Sequence, residues 1–113
     1  MTERIERVNE LLKSEVGALL LRELDVPQGA LVTVTRVAAT PNLQQARIYI
    51  SVMPEEKRKE VFGMLRRQVY EIQQQLNKRL YMRPVPRIQW MPEEKTKEAQ
   101  EVEQILEHIK KKQ

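Results

Sequence analysis

The sequence predicts an α+β fold in a single domain, from the way its hydrophobic residues repeat. Apolar side chains recur at helical spacing over residues 3–24 and 54–82, whereas residues 45–52 alternate apolar with polar side chains. Such alternation is typical of a strand that is buried on one face. A chain of 113 residues is long enough for one domain with one modest core.

The first helix is predicted over residues 3–24. Its apolar stripe consists of Ile5, Val8, Leu12, Val16 and Leu19. These positions share one helical face. A turn over residues 25–29 ends the helix, because this segment contains a proline and a glycine.

Two strands follow, over residues 31–37 and 45–52. The first is rich in β-branched residues, which favour strands. In the second, the inward set is Ala46, Ile48, Ile50 and Val52. The connection over residues 39–43 is short, so the two strands are expected to be antiparallel neighbours.

The second helical segment covers residues 54–82. Its apolar stripe is Val61, Leu65, Val69, Ile72, Leu76 and Leu80. One straight helix of this length would measure about 43 Å, against a radius of gyration of about 13 Å for a domain of this size. A break or kink is therefore expected. Arg79 falls at the edge of the stripe, which also favours a bend or a side chain that reaches past it.

Pro84 and Pro86 end the second helix and impose an extended chain. A third strand is predicted over residues 87–91, with Ile88 and Trp90 pointing inward. A final helix is predicted over residues 96–111, where the apolar stripe is Ala99, Val102, Ile105, Leu106 and Ile109.

Several classes of function are disfavoured by composition. The chain has no cysteine and one histidine, His108, and its glycines are isolated, so we expect no catalytic site, metal or other cofactor, and no small-molecule substrate. No apolar run approaches the roughly 20 residues that span a bilayer, and the N-terminus does not resemble a signal peptide. We therefore expect a cytoplasmic protein with no membrane partner.

The formal net charge of +4 is local. Residues 61–90 contain one acid, Glu71, and six basic residues: Arg66, Arg67, Lys78, Arg79, Arg83 and Arg87. This footprint is typical of a protein that meets phosphates. The cations alternate with amides that can donate to ribose and base edges: Gln68, Gln73, Gln74, Gln75 and Asn77. A solvated helix face with a cationic end is the competing interpretation.

The predicted RNA-contacting residues are therefore the six cations, Arg66, Arg67, Lys78, Arg79, Arg83 and Arg87, for phosphates, with Gln74 and Asn77 for ribose or base edges. Arg36 and Arg47, on the predicted strands, are candidate accessory contacts. Tyr70 and Tyr81 suit base stacking, packing in the core or a place at the rim of the core.

The local sequence resembles the ribosome-binding factor A family over residues 4–109. The resemblance is carried by Arg4–Val8, Val32–Val37, Thr40–Leu43, Ala46–Val52 and Leu80–Ile88. It implies a KH-like domain of the bacterial type II, with a kinked second helix and a mixed three-stranded sheet that has helices on one face. Residues 1–113 would form this single domain, with a core over about residues 4–91 and the C-terminal helix over 96–111.

The resemblance also implies a function without catalysis. Members of the family associate with the free small (30S) ribosomal subunit and assist late maturation of 16S rRNA, including its 5′ end, above all in the cold. A monomer that works beside other assembly factors, such as a GTPase, is expected. The alternatives are a KH-like protein-interaction module whose basic face meets an acidic partner, and a small enzyme with an unrecognised site.

One motif departs from the family pattern. The kink of the second helix often carries Ala-x-Gly, whereas the aligned positions here are Gln68, Val69 and Tyr70, and Gly63 lies too early to replace it. The kink is either kept by packing or the helix is straighter than usual. The family's Asp-Pro-Arg before the first strand is also changed, to Asp25–Gln28.

Overall fold

The computed structural model describes residues 2–94 and 105. It contains helices α1 (Thr2–Glu23) and α2 (Arg58–Arg79), and strands β1 (Leu31–Ala39), β2 (Gln45–Met53) and β3 (Arg87–Pro92). A short 3₁₀ turn, Glu55–Lys57, precedes α2. The α+β class and the order of these elements are confirmed. The predicted final helix over 96–111 lies outside the described residues except for Ile105.

The three strands form one mixed sheet in the order β1-β2-β3. β1 and β2 are antiparallel, as the short connection predicts, whereas β2 and β3 are parallel. Residue Thr35 is an extra residue in β1, where the register shifts between Val34 and Arg36. Its hydroxyl donates to the carbonyl oxygen of Tyr49 at 3.3 Å, so the bulge keeps a bond to the neighbouring strand.

Both helices pack on one face of the sheet, and the predicted stripes form the core. The most deeply buried side chains of the described helices and strands are Leu12, Val16 and Leu19 of α1, Ala46, Ile48 and Ile50 of β2, and Val61, Leu65, Ile72 and Leu76 of α2. On β2 the alternation is as predicted, because Arg47 and Gln45 are exposed on the opposite face. Ile88 of β3 is buried, and Trp90 is partly buried against the core.

Of the break or kink expected in the second helix, the structure excludes the break. α2 is an unbroken α-helix of 22 residues, about 33 Å long, and it runs through Gln68–Tyr70. It is shorter than predicted because the 3₁₀ turn occupies its start and Leu80 is already extended. Leu80 leaves the helix but stays buried, at 4% exposure, so its place in the apolar stripe does not require a longer helix.

Candidate nucleic-acid interface

The outward face of α2 holds five of the predicted RNA-contacting residues: Arg66, Arg67, Gln74, Asn77 and Lys78. Arg67, Gln74 and Lys78 are spaced by seven and four residues, so they lie nearly in line along the helix, opposite its buried stripe. The three basic side chains are exposed, and the two amides are half-buried. Helical periodicity predicts that these five residues share one side of α2, and the structure places them there.

An open groove of about 690 Å³ lies between the C-terminal half of α2 and the segment that leads into β3. Its lining comprises Val69, Tyr70, Gln73, Gln74, Asn77, Arg83, Pro84, Val85, Arg87 and Ile88. The groove therefore unites Gln74 and Asn77 with Arg83 and Arg87, which the sequence separates by a chain reversal. It combines apolar surface with amides and cations at its sides, which suits a nucleotide better than phosphate alone.

Gln73 has a structural role that the sequence did not indicate. Its amide donates to the carbonyl oxygen of Pro86 at 3.1 Å and accepts from the backbone N–H of Ile88 at 2.9 Å. It also donates to Oδ1 of Asn77 at 3.0 Å. These bonds join α2 to the opposite wall of the groove and leave the amino group of Asn77 to donate toward a ligand.

Arg79 is not brought together with the other cations. Its Nε donates to Oε2 of Glu15 on α1, and both side chains of this ion pair are partly buried. Five residues after Gln74, it lies about 140° around the helix, next to α1. Its position at the edge of the apolar stripe, which suggested a bend, is explained by this pair between the two helices.

Arg83 shapes the turn that follows α2. Its Nη1 donates to the carbonyl oxygens of Leu80 and Met82, each at 2.7 Å. These are carbonyls beyond the helix end, where the helix supplies no partner. Because an arginine carries five N–H donors and this side chain is exposed, its guanidinium still presents donors and a full charge at the groove.

The two tyrosines of this region are not core residues. Tyr70 is 71% exposed and Tyr81 is 101% exposed. Tyr70 lines the groove, beside Gln74 and Val69. Of the three uses that the sequence left open, packing in the core is therefore wrong for both side chains, and Tyr70 is the one that a ligand in the groove would contact.

This surface is predominantly positive, with the exposed Glu71 as the one acid between Arg67 and Lys78 on the same side of α2. The ion pairs among described residues involve Arg22, Arg36, Arg58 and Arg79. In the described part of the chain, no carboxylate pairs with Arg66, Arg67, Lys78, Arg83 or Arg87. The α2 surface, defined as these five cations with Gln74, Asn77 and the groove, therefore keeps its charge available for phosphates.

In the described part of the chain, no helix combines the length and apolar character that crossing a bilayer requires. Within residues 2–94 and 105, no three acidic or histidine side chains form a group suited to a metal ion. His108 lies outside the described residues.

Comparison with known proteins identifies the family. The family model for ribosome-binding factor A matches residues 4–106. The chain belongs to the ribosome-binding factor A family. A relative of that name in Bdellovibrio bacteriovorus is 31% identical over 107 residues, covering 94% of this chain and 80% of its own. Another, in Pelodictyon phaeoclathratiforme, is 32% identical over 115 residues, covering 98% and 95%.

Solved structures of ribosome-binding factor A share the fold. The crystal structure of the Thermus thermophilus protein matches with a TM-score of 0.68 at 22% identity, over 78% of this chain and 93% of that one. A model of Thermus thermophilus ribosome-binding factor A, fitted into an electron cryo-microscopy map of its complex with the 30S subunit, matches with a TM-score of 0.60 at 23% identity, over 74% and 88%. The KH-like fold is thereby confirmed.

Proposed function

We propose that this protein is a ribosome assembly factor that binds the small ribosomal subunit through RNA, with the α2 surface as its contact. The observation that carries the proposal is the set of cations on that surface, which have no carboxylate partner among the described residues. Family membership supports the choice of RNA, as does the complex of a Thermus thermophilus relative with the 30S subunit.

The contacts divide by chemistry. Arg66, Arg67 and Lys78 are exposed on α2 and would bind phosphates, which position a protein on RNA without reading its sequence. In the groove, Gln74 and the amino group of Asn77 can bond to ribose or base edges. Arg83 and Arg87 contribute phosphate contacts from the opposite wall.

The mechanism would be occupancy without catalysis. The protein would hold immature 16S rRNA of the free 30S subunit in one conformation until late maturation, including that of its 5′ end, is complete. The family resemblance supports this role, together with action in the cytoplasm, importance in the cold, a monomeric state and exchange with other assembly factors such as a GTPase. No cofactor is required for a function of this kind.

Co-sedimentation with purified small subunits, large subunits and joined ribosomes tests the proposal. We expect binding to free small subunits at physiological salt, and loss of most of that binding in the variant R66Q/R67Q/K78Q. The matched control R4Q/R7Q/R22Q removes the same charge from exposed positions of α1 and should bind normally. Equal binding to all three particles that disappears as salt rises would contradict the proposal, because it indicates attraction to phosphate alone.

Competition separates RNA from an acidic protein partner. Fragments of small-subunit RNA should displace the protein from the subunit if the α2 surface contacts RNA. Retained binding in a large excess of such fragments would favour the protein-interaction module instead.

A further inference from the structure

The face of the sheet that points away from both helices carries a second group of arginines. Arg36 of β1 lies opposite Tyr49 of β2, and Arg47 of β2 lies opposite Gln89 of β3. These side chains alternate with the buried ones along each strand, so they share the open face. Arg87, at the start of β3, belongs to the same alternating set.

Arg36 is held in a fixed position. Its guanidinium carbon lies 3.8 Å from the centroid of the Tyr49 ring, a distance at which the cation is attracted to the ring face. Its Nε donates to Oε2 of Glu93 at 3.1 Å. The Arg36 side chain nevertheless remains 58% exposed. The guanidinium therefore lies over the Tyr49 ring, while much of the Arg36 side chain stays accessible from solvent.

This arrangement suits a nucleotide. A planar guanidinium supported by an aromatic ring offers a platform on which a base can stack. Arg47 is exposed beside it and can bind a phosphate, and the neighbouring amide of Gln89 can bond to ribose or base edges. Glu93 offsets part of the charge of Arg36, so Arg47 and Arg87 leave the surface positive.

The same composition argues against a protein partner. Protein interfaces are built around a buried apolar centre, but among the described residues of this face the exposed large apolar side chains are Leu31 and Met53. These two residues pair with each other at the end of the β1–β2 ladder, away from Arg36 and Arg47. Met91, opposite Tyr49 in the middle of this face, is half-buried, so charge and a stacking group outweigh exposed apolar surface among the described residues, which favours RNA.

We propose that the open face of the sheet, through Arg36, Arg47, Tyr49 and Gln89, binds a second segment of single-stranded RNA. This inference rests on the proposed function, since it assumes that the protein works on RNA. The α2 surface and the open face lie on opposite sides of the sheet, so one domain would hold two RNA segments at once. Arg87 is the residue shared by the groove and the open face.

The test uses the full chain and purified free small ribosomal subunits, with affinity measured over a range of salt concentrations. R36Q/R47Q removes the phosphate contact of Arg47 and the stacking group of Arg36, so the slope of log affinity against log salt should fall by about 1 and binding should weaken by about tenfold. The matched control R4Q/R22Q, with the same charge change on α1, should leave the salt slope and the affinity unchanged.

A second variant separates stacking from charge. R36K keeps the charge but loses the planar group, so we expect binding to weaken by about fivefold or more with an unchanged salt slope. R47Q alone provides a measurement that does not disturb the contacts of Arg36. Circular dichroism and the unfolding midpoint establish that each variant is folded.

The outcomes distinguish this inference from the proposed function. If R36Q/R47Q and R36K bind like wild type while R66Q/R67Q/K78Q is weakened, the second RNA surface is overturned and the proposed function stands. If all three variants bind like wild type, both the proposed function and the second RNA surface are overturned. If R36Q/R47Q loses subunits but keeps wild-type affinity for isolated small-subunit RNA, the open face contacts a ribosomal protein, and this inference is again overturned.

Discussion

The side-chain amide of Gln73 donates to Oδ1 of Asn77, one turn further along α2, at 3.0 Å. The same amide binds the backbone of Pro86 and Ile88 across the groove. One side chain therefore fixes the orientation of a candidate RNA contact and also attaches the second wall of the groove to the helix. The shape of the α2 surface depends on a residue that would not itself touch RNA.

Replacing Gln73 should lower stability. Q73A leaves the Ile88 N–H and the Pro86 carbonyl without their partner in a half-buried position. We therefore expect the free energy of unfolding to fall by about 1–3 kcal/mol. Q74A, at the next position, removes a half-buried amide for which the described structure shows no hydrogen bond, and should cost no more than about 0.5 kcal/mol. Urea unfolding compares the two, and equal losses would contradict a structural role for Gln73.

Asn42, in the turn between β1 and β2, should contribute to the stability of the domain but not to subunit binding. Oδ1 of Asn42 accepts from the Thr40 hydroxyl at 2.6 Å and from the backbone N–H of Gln44 at 3.1 Å. N42A removes both bonds and should lower the free energy of unfolding by about 1 kcal/mol. N42D keeps the acceptor and should restore much of that stability. Neither should change binding to small subunits. A loss of binding in folded N42A would show that the turn contacts the subunit.

The ion pair between Arg79 and Glu15 should be worth little in isolation. Its side chains are 34% and 25% exposed, so solvent screens the pair, and a double-mutant cycle of R79A and E15A should give a coupling of about 0.5–1 kcal/mol. The coupling should shrink as salt is added. Because Arg79 faces α1, R79Q should weaken subunit binding less than K78Q. The reverse order would place Arg79 in the RNA contact.

The fold was predictable because its signals are local. Stripes such as Leu12, Val16 and Leu19 report which helical face is buried, and the alternation around Ile48 and Ile50 reports one buried face of a strand. Periodicity within a strand says nothing about the direction of the neighbouring strand. The parallel pairing of β2 with β3 could therefore be expected only from the family resemblance, which implies a mixed sheet.

The candidate site was predictable only in part. Arg66, Arg67 and Lys78 lie together because helical spacing alone places them there. The groove forms between residues on either side of a chain reversal, and the partner of Arg79 is Glu15, 64 positions away. Gln73 was grouped with the RNA-facing amides because its sequence neighbours are polar, while its partners belong to the backbone of a distant segment. No local pattern encodes such contacts.

The single tryptophan joins β3 to α2 through its indole. The indole N–H of Trp90, on β3, donates to the carbonyl oxygen of Leu65 at 2.9 Å, in the middle of α2. This bond joins the same two elements as Gln73 but at the other end of their contact. W90F keeps an aromatic ring and removes the donor, so we expect the free energy of unfolding to fall by about 1 kcal/mol.

The loss in W90F should stay near this value, because the Leu65 carbonyl lies inside α2 and keeps its helical partner. Far-ultraviolet circular dichroism during urea unfolding measures it without relying on tryptophan fluorescence. Y81F, at a fully exposed position, is the matched control and should unfold like wild type. Binding of W90F to small subunits should be preserved, because Gln73 still holds the groove wall. An unfolding midpoint equal to that of Y81F would mean that the indole bond adds nothing to stability.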